Sequence, residues 1–158
     1  MSRTLPMAVA AVSLAVPGLA QAGAAHRTAG STGVGIGGGT YGSGISAKHF
    51  LTDDHAIQGV VGLGEDALLL NADYLFEQKV FGETEGVEFA WNIGPGAGLG
   101  IASDASSLGL SVSGVAGLEI AVVPIPLDFV LEYRPQLMVI PVLALDIAEF
   151  SAHARWFF

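Results

Sequence analysis

The sequence predicts an all-β fold, an eight-stranded antiparallel up-and-down transmembrane β-barrel, and three observations carry that prediction. The chain of 158 residues is 51% hydrophobic and only 13% charged, which excludes a disordered chain of low hydrophobicity and high charge. Beyond residue 22 the longest uncharged stretches, Phe89 to Ser103 and Ala105 to Leu118, are broken by glycines and fall short of the roughly 20 residues a spanning helix needs. Apolar residues instead recur at every second position, the period of a strand. Besides a helix, the structure that satisfies every backbone polar group in lipid is a closed barrel.

The first element is an export signal. Arg3 supplies a positive start, Leu5 to Val16 is uncharged and mostly apolar, and Pro17-Gly18 precedes Ala20-Gln21-Ala22, an A-x-A cleavage pattern. Residues 1–22 therefore read as a signal peptide, 23–32 as an N-terminal segment, and 33–158 as an outer-membrane β-barrel. The apolar core of the signal is too short for a membrane anchor.

Eight strands follow, near 33–41, 44–52, 56–64, 67–78, 86–102, 108–122, 127–134 and 146–158. In the fourth, Leu68, Leu70, Ala72, Tyr74 and Phe76 share one face, and Leu69, Asn71, Asp73, Leu75 and Glu77 the other. Val87, Phe89, Trp91 and Ile93 alternate with Glu88, Ala90, Asn92 and Gly94. Leu110, Val112, Ala116, Leu118 and Ile120 alternate with Ser111, Ser113, Gly117 and Glu119. Leu127, Phe129, Leu131 and Tyr133 alternate with Asp128, Val130, Glu132 and Arg134. The last strand sets Phe150, Ala152, Ala154, Trp156 and Phe158 against Glu149, Ser151, His153, Arg155 and Phe157.

The first and third strands are weaker, with Val34 and Ile36 between glycines, and Ile57, Val61 and Leu63 against Gln58, Val60 and Gly62. In 44–52, Ile45, Ala47, His49 and Leu51 alternate with Ser46, Lys48 and Phe50, and the pattern leaves the facing open. Gly, Asp, Ser and Pro punctuate the intervals, notably Gly42-Ser43, Asp53-Asp54-His55, Glu65-Asp66 and Pro124-Ile125-Pro126. With both ends of the barrel chain periplasmic, the turns near 53–55, 79–85 and 123–126 face the periplasm. Those near 42, 65, 104 and 135–145 face outward, and only the last is long.

Composition excludes several function classes. No cysteine is present, so disulfides, thiolate metal sites and thiol nucleophiles are ruled out. Without the signal, five cations (Arg27, Lys48, Lys79, Arg134 and Arg155) face 15 acids, a balance that excludes nucleic acid as a natural partner.

Candidate sites are few. Glycines at 33, 35 and 38, and at 37, 39 and 42, match G-x-G-x-x-G, but no helix pattern follows to receive a pyrophosphate. Packing inside a narrow barrel is the better reading. Glu149, Ser151 and His153 share a strand face, yet neighbours at i and i+2 stand roughly 6.5 to 7 Å apart, too far for a nucleophile and its base. His26, His49, His55 and His153 lack ligand spacing for zinc, and no calcium-loop pattern occurs. No residue is assigned a catalytic, cofactor-binding or metal role, and no cofactor is expected.

The interior charges have a structural reading. Asp73, Glu77, Glu88, Glu119, Asp128 and Glu132, with Arg134, Arg155 and Lys48, converge in the lumen if the alternation holds. An eight-stranded barrel has room inside for little more than its own side chains, so a paired network should plug it. Six acids against three bases leave that network short of positive charge.

The alternation Phe150, Ala152, Ala154, Trp156 and Phe158 resembles the signal by which barrel assembly machinery recognises outer-membrane barrels through a last strand ending in an aromatic. Gly44 to Leu51, Ala56 to Gly59, Ala72 to Leu75 and Leu131 to Pro135 look like small outer-membrane barrels broadly similar to the OmpA and OmpX type. The resemblance implies architecture, and with no peptidoglycan-binding domain after Phe158 it implies no wall anchoring. The expected protein is a small, monomeric, non-porin barrel in contact with outer-membrane lipid, with a structural or envelope-interaction role. The alternatives are a lipid-modifying outer-membrane enzyme and a soluble periplasmic lipocalin-like binder of an apolar ligand. Leu70, Tyr74, Phe89, Trp91, Leu118 and Phe129 discriminate the latter, since a lipocalin turns them inward.

Overall fold

A computed structural model describes residues 27–40, 42–64, 66–78, 81–84, 86–103, 107–123 and 125–158. The signal peptide expected at 1–22, His26, Tyr41, Lys79, and the turn residues Glu65, Pro124 and 104–106 lie outside the described residues.

The strands are β1 (Thr32–Gly39), β2 (Gly42–Thr52), β3 (His55–Leu63), β4 (Ala67–Glu77), β5 (Gly82–Thr84), β6 (Val87–Ala102), β7 (Leu108–Val122), β8 (Leu127–Tyr133), β9 (Gln136–Ile140), β10 (Ala144–Asp146) and β11 (Phe150–Phe157). Eight of them close an antiparallel barrel in the order β1-β2-β3-β4-β6-β7-β8-β11, with β11 returning to β1. The seam runs from Gly33 opposite Phe157 to Gly39 opposite Ser151. Closure leaves no unpaired barrel edge.

Three expectations need correction. The interval 79–85 is more than a turn, because β5 hydrogen-bonds to β6 through Gly82 opposite Phe89. The interval 135–145 is a hairpin of β9 and β10, and β9 lengthens the barrel wall by pairing with the first half of β7. The continuous apolar run Leu137 to Ile140 carries that strand signal, which Pro135 and Pro141 obscure in the sequence. The last strand begins at Phe150 instead of 146.

Facing follows the two-residue period throughout. Ile36, Ile45, Leu63, Trp91, Leu118, Phe129, Leu131 and Trp156 project from the outer surface, while Ser46, Lys48, Gln58, Asp73, Glu119, Glu132 and Arg155 are buried inside. The open facing of 44–52 is thereby decided, with Lys48 and Phe50 turned inward. The result is a barrel with an apolar outside and a charged interior. A small apolar cluster of Phe50, Ala56, Leu75, Val115 and Phe157 also lies inside.

Glycine makes room for this interior. Gly33, Gly35 and Gly37 of β1 sit opposite Phe157, Arg155 and His153 of β11. A Cβ on Gly33 would lie 2.6 Å from the Phe157 ring, and one on Gly37 would lie 2.2 Å from His153 Nδ1. The glycine motif is thus a packing device, with Gly33 and Gly37 leaving room for the Phe157 and His153 rings and Gly35 for the backbone of β11. Gly30, at φ 89°, turns the preceding segment back toward β1, and its N–H donates to Phe50 O at 2.8 Å.

Candidate functional site

The lumen falls into three levels between the end where β1 starts and β11 finishes, here called proximal, and the opposite, distal end. The two-residue period stacks inward side chains along each strand, and the antiparallel register brings neighbouring strands into line.

At the proximal level, Lys48 of β2 lies 2.7 Å from Glu77 of β4 and 2.8 Å from Glu119 of β7. Arg27 joins them from the segment before β1. Its guanidinium pairs with Glu77 at 3.1 Å and with Glu119, and it donates to Gln78 O at 3.3 Å. The Lys48 ammonium also sits 4.8 Å from the Phe50 ring centroid, a cation–π distance. Two buried carboxylates therefore share two cations.

At the middle level Glu132 of β8 is the hub. Its carboxylate accepts from Gln58 Nε2 at 2.8 Å, Arg134 Nη2 at 3.1 Å and Ser151 Oγ at 3.3 Å. His153 Nε2 lies 3.1 Å from the same carboxylate, and because a carboxylate only accepts, that nitrogen carries the hydrogen. Arg134 also grips Asp73 of β4 with two hydrogen bonds of 2.7 Å, the strong forked geometry of arginine on a carboxylate. Arg155 is 0% exposed. It donates to Ser46 Oγ at 2.9 Å and to Gln58 Oε1, and stands 3.9 Å from Asp128.

These contacts amend the expected network. Glu88 is only half-buried and joins none of the ion pairs among the described residues. Arg27, whose lumen role no strand pattern could reveal because it precedes the first strand, supplies a fourth cation. The shortage of positive charge is correspondingly smaller. Gln58, though uncharged, bridges Asp73, Glu132 and Arg155, and Ser46 accepts from Arg155. Asn92 and Asp128 are buried with side-chain oxygens that have no hydrogen-bond partner among the described residues, positions that an internal water would satisfy.

Glu149, Ser151 and His153 do come together around the distal half of the lumen, but not as a catalytic relay. Ser151 and His153 each bond to Glu132 instead of to one another, and the remaining ring nitrogen of His153 packs over Gly37. A nucleophile needs a base within hydrogen-bond reach. Glu149 lies just before β11, held by its carbonyl, which accepts from Arg134 N at 2.9 Å.

At the distal level the inward positions are small. Gly98, Gly100 and Ser111 leave an open cup of about 890 Å³, also bounded by Leu69, Asn71, Met138 and Glu149. Beneath it a narrow extension of about 50 Å³ reaches Arg134, Ser151 and His153.

Fold and interior together define an eight-stranded antiparallel β-barrel whose lumen is filled by an ion-pair network and opens at one end into a cup. No family model matches the chain, and neither a curated protein nor a solved structure matches it.

Proposed function

We propose that this chain is a small non-porin barrel of a bacterial outer membrane, exported through the periplasm and acting in a structural or envelope-interaction role. The inverted distribution of polarity carries the reading. Soluble monomers rarely expose contiguous apolar patches beyond a few hundred Å², whereas here Ile36, Ile45, Val61, Leu118, Phe129 and Leu131 belong to an apolar surface that passes from strand to strand. β4 supplies 11 residues and β2 another 11, within the length a tilted spanning strand needs. Tyr74, Phe76, Trp91, Phe129 and Trp156 project near the proximal end, as an interfacial aromatic girdle would.

The same polarity opposes a lipocalin-like binder, whose apolar residues line the interior. A lipid-modifying enzyme loses its candidate residues, because Ser151 and His153 face the lumen and both are engaged by Glu132. Outer-membrane lipid and, through the outward row of β11 that leads to Phe158, the barrel assembly machinery are the proposed partners.

Two measurements test this. The protein is expected to require detergent for extraction and to run faster on gels unheated than boiled; a folded, detergent-free monomer would overturn the membrane reading. In planar bilayers the plugged lumen is expected to pass no steady current. Large, sustained conductance would overturn the non-porin reading while leaving the location intact.

A further inference from the structure

We propose that the distal cup is a binding site for a small organic cation, a primary ammonium on a short apolar tail, with Glu149 as its counter-charge. This inference concerns the cup alone and goes beyond the envelope role proposed above.

Glu149 is the reason. Its side chain is buried, with the residue 9% exposed, and borders both the cup and its narrow extension. Its Oε2 has no hydrogen-bond partner among the described residues. A buried carboxylate without a partner is costly. The cation beside it is already committed, since Arg134 spends its guanidinium on Asp73 and Glu132. The surrounding charges are Arg134 between β8 and β9, Asp73 on β4 and Asp146 at the end of β10. Burial first, then repulsion from Asp146 and Asp73 against the attraction of Arg134, pushes the Glu149 carboxyl up to about 7. His153 borders the extension as well, with Nδ1 unpartnered among the described residues; in the neutral ring, with the hydrogen on Nε2, this nitrogen accepts.

The site therefore offers acceptors to a donor. An anion would meet Glu149 and its acidic neighbours with no uncommitted cation among the described residues that line the cup, while an ammonium would gain the bond Glu149 Oε2 lacks. The walls specify the rest of the ligand. Leu69 and Met138 border a cavity of about 890 Å³, within the range of small-molecule sites, which combine apolar walls with a few placed polar groups. Among the described residues no three His, Cys, Asp or Glu side chains gather to hold a metal ion, so an organic cation fits better than a bare one.

The test uses the full chain in phosphatidylcholine nanodiscs, titrated calorimetrically with n-hexylammonium, n-hexanol and hexanoate against empty nanodiscs. One saturable site for hexylammonium at pH 8, at least tenfold tighter than for hexanol or hexanoate, is expected. Glu149→Gln should weaken it tenfold or more. Lowering the pH to 6 should weaken it about tenfold, because a carboxyl titrating near 7 is then mostly protonated. Gly100→Leu gives an independent check: a Cβ there meets only Leu69, at 3.7 Å, so the new side chain can fill the cup without altering any charge and should also abolish tight binding. Absence of a saturable site, equal affinity for hexanoate, or undiminished binding in either folded variant would overturn the proposal.

Discussion

Replacing Arg134 by methionine is expected to destabilise the barrel by about 3–5 kcal/mol, the usual cost of breaking a buried ion pair from one side. Arg134 holds Asp73 by two bonds of 2.7 Å and Glu132 by one of 3.1 Å, across strands separated by the lumen. Without it, Asp73 is left, among the described residues, with the neutral Gln58 alone, and Glu132 keeps Gln58, Ser151, His153 and the more distant Arg155 at 4.0 Å. Urea unfolding followed by the fluorescence of Trp91 and Trp156 would measure the loss. Adding Asp73→Asn to Arg134→Met should recover part of it, since one stranded charge is then removed. A single-variant cost below about 1 kcal/mol, the scale of an exposed pair, would show that the network is hydrated instead of sealed.

Lys48→Met is expected to produce the second large loss, about 3 kcal/mol or more on the same reasoning. Its ammonium lies within 2.8 Å of both Glu77 and Glu119, and only Arg27 would then remain between those acids. Arg27 reaches in from outside the strands, so its own removal should cost less than that of Lys48. The two are nevertheless coupled through shared partners. In a double-mutant cycle of Lys48→Met and Arg27→Met the combined loss should exceed the sum of the single losses by 0.5 kcal/mol or more, as expected for neighbours in one network. Simple additivity would refute the shared-carboxylate arrangement. Because both cations plug the proximal end, the variants also allow the conductance measurement to be repeated with a loosened plug.

The ordering of charge in the lumen explains why these effects should be large. The interior is narrow, its side chains come from facing strands, and each charge is placed where its neighbours are also withdrawn from water. Interactions gain strength in such surroundings, and so does the penalty for an unmatched partner. Glycine at 33 and 37 is part of the same design, since the room it leaves is where the Phe157 and His153 rings lie.

Much of this was legible in the chain. Alternation in β4, β6, β7, β8 and β11 separates outward from inward residues, because a strand repeats every two residues whatever its partners are. Asp73, Glu77, Glu119, Asp128, Glu132, Arg134 and Arg155 could therefore be placed inside before any contact was known. β2 resisted because both of its faces mix apolar and polar residues: His49 lies on the outward face, while Phe50 shares the inward face with Lys48. β9 resisted because its flanking prolines read as a loop, and its pairing with β7 is a long-range event. Glu88 was misplaced in the network because alternation reports a face, not a depth, and this residue stands at the strand's beginning.

The sequence by itself thus determined the β architecture, the closed set of strands and the polarity of the two faces, all consequences of local period and turn chemistry. Only the tertiary structure decided which charges meet. Lys48 and Glu119 are 71 residues apart, Gln58 and Glu132 are 74, and Arg27 and Glu119 are 92. No local pattern encodes such pairs, because they depend on how far the strands are staggered as the sheet closes. The cup is of the same kind: it exists because glycines from β6 and β7 arrive at one level of the barrel beside Glu149.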